Sequence, residues 1–210
     1  MSQPPRLAQL ASLAGAPLEE IALSIASEFR PVDADAARDR LDRLAATVDP
    51  SALADPERRA EELVSALGER AGFRVDGDDH PHSLMLDEVL ALREGHPLSL
   101  AIVYAAVAAR AGFGLNPVGT ERVVLLGDPE AKPPIAIDPA PGQPVPSEMR
   151  WLCPHLVGLR LIDAIGVRYM NHGDLGSAIR AAELRLLLPL HPRLREHHVL
   201  ALRKLRARLN

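Results

Sequence analysis

Cysteine is almost absent from the 210 residues, and Cys153 stands alone. One thiol excludes an intramolecular disulfide and any multi-cysteine metal site. Aromatic residues make up only 3% of the chain, which beside abundant Ala, Leu and Arg suggests a GC-rich genome and says nothing about function. No uninterrupted apolar stretch is long enough to span a bilayer. The first residues lack the basic start, apolar run and small-residue cleavage site of an export signal. A basic surplus is missing too: 24 Lys+Arg against 28 Asp+Glu give a formal net charge of −4, so there is no global electrostatic case for nucleic acid. These absences point to a cytoplasmic chain that neither enters a membrane nor carries a cofactor. What is abundant is apolar surface: 47% hydrophobic residues against 25% charged can close a sizeable core.

The stretch Glu94–Phe113 organises the rest. Pro97 suits a first helical turn, where its missing N–H has no intrahelical partner. From Leu98 to Ala109 almost every residue is apolar or small, the mark of a helix buried on nearly all sides. Arg110 suits the dipole of the last turn, and Gly112 is a stop. The start of a buried helix is also a place where nucleophiles and anion sites are mounted.

The chain before it reads as helical. Leu7–Leu13 forms a short element ended by Gly15. Pro17 opens a helix with Leu18, Ile21, Ala22, Ile25 and Phe29 on one face and the acidic pair Glu19, Glu20 at its start. Asp33 caps a helix to about Val48, with Leu41 and Leu44 inward and Arg38, Arg40 and Asp42 outward. Asp55-Pro56 opens another to about Arg70. Arg74–His82 is a polar loop whose Asp76, Asp78, Asp79, His80 and His82 invite a metal reading, but Gly77 falls at the wrong place for a calcium loop and no Glu follows at position twelve. A solvated acidic loop is expected, followed by a short helix from Ser83 to Glu94.

After Phe113 the pattern changes. Asn116–Thr120 reads as a turn, Arg122–Leu126 as a buried strand and Ile135–Ile137 as a second, paired antiparallel. The prolines of 139–147 exclude a regular element there. Helices follow at Leu156–Tyr169, Ala178–Leu188 and Leu194–Leu209. Tyr169-Met-Asn-His-Gly-Asp-Leu-Gly-Ser-Ala178 looks like one tetratricopeptide-like hairpin, which needs a neighbour to bury its faces. The last helix is basic through Arg193, Arg195, Arg203, Lys204, Arg206 and Arg208, a solvated face or a surface for an acidic partner. The fold expected is α+β and mostly helical: residues 1–80 a helical part, 81–150 a core with its buried helix against a small antiparallel sheet, and 151–210 a helical tail packed on that core.

The order of elements resembles the SirB-type family of bacterial transglutaminase-like proteins. The matching pieces are Leu18–Asp33, Ser83–Tyr104, Ile137-Asp-Pro139 and the helical tail. The second is the most specific, running Leu-x-x-Val-Leu-x-x-Arg-x-Gly-x-Pro-x-Ser-Leu from Leu86 to Leu100. The resemblance implies a transglutaminase-like core, in which a Cys at the helix start works with a His and an Asp on neighbouring strands. Carried across by position, the Cys falls on Pro97, the His on Arg122, and the Asp survives as Asp138. Proline offers no nucleophile, and arginine stays charged and is no general base. The proline is implied to be shared by the family, whereas the loss of the His is a departure of this sequence.

Arg122 and Asp138 are expected to pair across the strands. Ser99 and His96 are weak stand-ins for the lost catalytic groups, Ser99 reading first as a capping or packing residue and His96 as solvent-facing. Cys153, two residues before His155, reads as incidental. The function expected is therefore a non-catalytic transglutaminase-like module that binds a protein or peptide, with Pro97, Ser99, Arg122 and Asp138 as binding candidates and no metal. The alternatives are a hydrolase or acyl-transfer enzyme rebuilt around Ser99, His96 and Asp138, and a small-molecule or anion sensor using Arg122 and the core-helix start.

Overall fold

The computed structural model describes residues 2–52, 54–119, 124–129, 131, 135–140 and 150–208. The chain starts with helices α1 (Leu7–Leu10), α2 (Leu18–Ser27) and α3 (Ala34–Ala45). Asp33 caps α3 by accepting the Ala36 N–H at 3.2 Å, and Asp55 caps α4 (Pro56–Val64) by accepting from Glu57 and Arg58. Such caps satisfy donors that have no partner inside the helix. Helix α4 runs on as one wide turn, Ser65–Arg70, closed by the Ala71 N–H on the Ala66 carbonyl.

Helix α5 (Leu86–Leu92) precedes α6 (Pro97–Ala111), the core helix expected from its composition. Every residue from Leu98 to Ala108 is buried. Gly112 ends the helix at φ +97°, a left-handed conformation that an L side chain resists. Helix α6 touches α2, α3 and α5, and also the sheet. A two-residue parallel pair, β1 (Arg74–Val75) with β2 (Glu94–Gly95), ties the polar loop to the α6 entrance.

Among the described residues the main sheet has four strands in the order β5-β4-β3-β6, all antiparallel: β3 (Asn116–Gly119), β4 (Val124–Asp128), β5 (Ile135–Ile137) and β6 (Arg150–Trp151). Residues 116–119 are a strand rather than the expected turn. Asn-Pro and Gly signal turns locally, but pairing with β4 on one side and β6 on the other overrides them, and the Pro117 carbonyl is used by the Leu152 N–H at 2.9 Å. Strand β4 also extends past its expected end. Gly127 belongs to it because a side chain there would lie 2.8 Å from the Trp151 ring, and Asp128 because it is buried against Arg59 of α4.

The tail comprises α7 (Pro154–Asn171), α8 (Leu175–Arg185) and α9 (Pro192–Arg206). Gly173 turns the chain at φ +75°, and Asp174 caps α8 through the Ser177 N–H. Helix α7 belongs to the main core: Val157, Leu161, Ile162 and Ile165 are fully buried, and Gly158 lets its backbone approach Ile21 of α2. Helix α9 is attached more lightly, through Leu202 against Ile179 and Ala182 of α8. Among the described residues, no helix is long and apolar enough to cross a membrane.

Candidate functional site

The start of α6 is built from a tight crossing. Gly95 lies so close to Val89 and the Ser83 carbonyl that any Cβ would collide with them at 2.8 and 3.2 Å. The His96 N–H then donates to that same Ser83 carbonyl at 2.8 Å. The His96 ring caps its own helix, Nδ1 accepting the Leu98 N–H at 3.1 Å. Pro97 occupies the first helical position. Ser99 is 1% exposed, and its hydroxyl has no hydrogen-bond partner among the described residues. His96 and Ser99 are thus one turn apart without forming a hydrogen-bonded dyad.

His96 is half-buried rather than solvent-facing. Burial, aided by the nearby positive charge of Arg168 and opposed by the pull of Asp79, lowers its pKa to about 4. The ring is neutral at physiological pH. Arg168, on the inward face of α7, reaches the segment before α5: Nε donates to Asp79 Oδ1 at 3.1 Å, and Nη1 donates to the His80 carbonyl at 3.0 Å and to the Ser83 hydroxyl. Asn171 donates to the other Asp79 oxygen at 3.0 Å, and the His172 ring lies 3.0 Å from the Asp79 carbonyl oxygen. The Asn171 bond, aided by Arg168, holds the Asp79 carboxyl below the usual carboxylate range.

The polar loop is exposed at Arg74, Val75 and residues 77–80, as expected of a solvated loop, and is in addition tied to α7 through Asp79 and His80. His80 and His82 bring ring nitrogens to 2.6 Å, and His82 faces Asp76 at 3.6 Å. Among the described residues, no group of three or more His, Cys, Asp or Glu is arranged to hold a metal ion. Arg168 was missed in the sequence, although its position seven after Leu161 and three after Ile165 puts it on the buried face of α7.

Asp138 follows β5, where its Oδ1 accepts the Ala140 N–H at 2.9 Å. It lines a groove of about 540 Å³ with Glu57, Glu61 and Val64 of α4, a groove whose lining includes neither His96 nor Ser99. The charges that act on His96 are Arg168 and Asp79. Arg122, and with it the expected Arg122–Asp138 pair, lies outside the described residues. Cys153 is exposed at the start of α7, and the His155 ring is turned to the Leu10 carbonyl at 3.2 Å. A second charged contact unseen in the sequence is the buried pair of Arg59 and Asp128, Nε to Oδ2 2.8 Å, with the guanidinium 5.7 Å from the Phe113 ring centre.

Comparison with known proteins agrees with this architecture. The chain is 38% identical over 146 residues to UPF0162 protein PA3419 of Pseudomonas aeruginosa, a match covering 66% of this chain and 53% of that protein. The chain therefore spans about half the length of this curated relative. No solved structure matches it. A family profile matches residues 35–151, from the start of α3 through β6, and by that match the chain belongs to the transglutaminase-like superfamily.

Proposed function

We propose that this is a non-catalytic transglutaminase-like protein of the SirB type that binds a protein or peptide through a tetratricopeptide-like tail. The observation that carries the reading is the surface of the tail. Val167 on α7 and Leu200 on α9 are more than half exposed, at 56% and 52%. Val167 also lines a groove of about 220 Å³ bounded by Gly166, Met170, Ala182 and Leu205, contributed by all three tail helices. Exposed apolar side chains beside a concave groove suit a peptide partner. The basic residues of α9, exposed at Arg193, Arg195, Arg203 and Lys204, favour an acidic one.

The helix start supports the non-catalytic half of the reading. Pro97 stands where the resemblance puts the nucleophile, the Ser99 hydroxyl is sealed, and His96 Nδ1 is engaged in capping the helix. Cells producing tagged intact protein, and a variant with Val167→Glu and Leu200→Glu, provide the test. A cross-linked partner peptide recovered with the first and lost with the second is the expected result. Covalent labelling of Ser99 by an acylating probe would overturn it in favour of the hydrolase or acyl-transfer reading.

A further inference from the structure

We propose that the cleft between α3, the wide turn after α4 and the end of α5 binds an organic phosphate, a doubly charged head joined to an apolar body. The cleft holds about 550 Å³, within the usual range of small-molecule sites. Four guanidinium groups line it, from Arg40, Arg43, Arg70 and Arg93, and no Asp or Glu does. That convergence occurs in a chain whose net charge is −4.

The four cations are not equivalent. Arg70 is partly neutralised by Glu62 at 2.5 Å. Arg40 and Arg43 sit one turn apart on α3, where two of the helix's three acids are engaged elsewhere, Asp35 with Arg38 and Asp42 with Arg110, and the third, Asp39, does not line the cleft. Among the described residues, neither Arg40 nor Arg43 has an ion-pair partner. Arg93 caps α5 in the left-handed conformation, φ 59°, the one non-glycine residue to do so among those described. Glycine is the ordinary residue there, so an arginine accepts backbone strain to place its side chain at the cleft, where it also holds the Ala71 carbonyl at 2.9 Å.

Like charges gathered with Glu62 as their one ion-pair partner among the described residues repel one another until an anion arrives. Planar guanidinium forks suit the oxygens of a phosphate, and several of them suit a dianion better than a single carboxylate. The wall behind them is apolar: Leu44, Phe73 and Leu90 line the same cleft, with Phe73 and Leu90 buried. A bare inorganic anion leaves that wall unused.

Calorimetry on the intact protein with n-hexyl phosphate, inorganic phosphate and 1-hexanol tests the site. Hexyl phosphate is expected to bind at least about tenfold more tightly than inorganic phosphate, and hexanol to give no saturable heat. Arg40→Gln with Arg43→Gln is expected to weaken hexyl phosphate at least about tenfold, while the Tm of the free protein stays equal or rises because like charges have been removed. Co-sedimentation with phosphatidic acid vesicles distinguishes the source: binding that the double variant abolishes identifies a lipid headgroup, and binding confined to the soluble ester identifies a free metabolite. Unchanged hexyl phosphate affinity in the double variant, or no saturable binding at millimolar ester, would overturn the proposal. So would a double variant that loses stability but keeps its affinity.

Discussion

Arg168 on α7 donates to the hydroxyl of Ser83, 85 residues earlier in the chain and fully buried. This contact locks the loop before the core helix onto the first helix of the tail, and the same guanidinium biases the His96 ring at the helix entrance.

Replacing Arg168 by Met should destabilise the fold by about 2–4 kcal/mol, because the buried Ser83 hydroxyl, the His80 carbonyl and Asp79 Oδ1 each lose a charged donor. Denaturant unfolding measures the loss. A proton NMR titration of the folded variant should show the His96 pKa raised from its wild-type value but still below that of a free histidine, since burial, the larger cause, persists.

The acid sensitivity of the fold follows from the same ring. The folded pKa of His96, about 4, lies below the ordinary 6.5. The unfolded chain therefore takes up the proton first as pH falls, so stability drops between about pH 6.5 and 4 and levels off below. On the order of 2–3 kcal/mol is at stake for this group, after discounting for its partial exposure. His198, lowered by burial, adds in the same direction, while Asp87 and Asp163, raised chiefly by burial, oppose it. Urea midpoints measured from pH 7 to 4 should fall less for His96→Asn than for wild type.

Asp128→Ala should cost about 3–5 kcal/mol, because it leaves the buried Arg59 guanidinium without its carboxylate. Arg59→Met with Asp128→Leu should recover most of that loss. Thermal unfolding of the two variants side by side provides the measurement.

Gly158→Ala puts a methyl group 2.8 Å from Ile21 Cγ2, inside the contact of α7 with α2. The expected cost is about 1–3 kcal/mol. Combining it with Ile21→Val should return part of the Tm.

Ser99→Ala removes a buried hydroxyl that has no hydrogen-bond partner among the described residues. Stability should hold or rise by up to about 1 kcal/mol. A drop of several kcal/mol in denaturant unfolding would show that the hydroxyl is engaged after all.

The helical framework was legible because its signals are local. Asp33 and Asp55 cap where side-chain chemistry says they should, and the apolar run from Leu98 to Ala108 is buried without a gap. The turn chemistry of Asn116-Pro117 misled because a strand between two partners is held by pairing, not by its own residues. His96 was read as solvent-facing, and Asp79 as having no partner role, because the sequence alone cannot show that the far end of α7 returns to this loop.

By itself the sequence determined which segments are helical, which helix forms the centre, and that proline occupies its first turn, since capping, periodicity and proline sterics act within a few residues. Tertiary structure decided which charges meet: Arg168 with Asp79 and Ser83, Arg59 with Asp128, and four arginines around one cleft. Those encounters join residues tens of positions apart, and only the packing of helix on helix and helix on sheet brings them within hydrogen-bonding reach or around a common cavity.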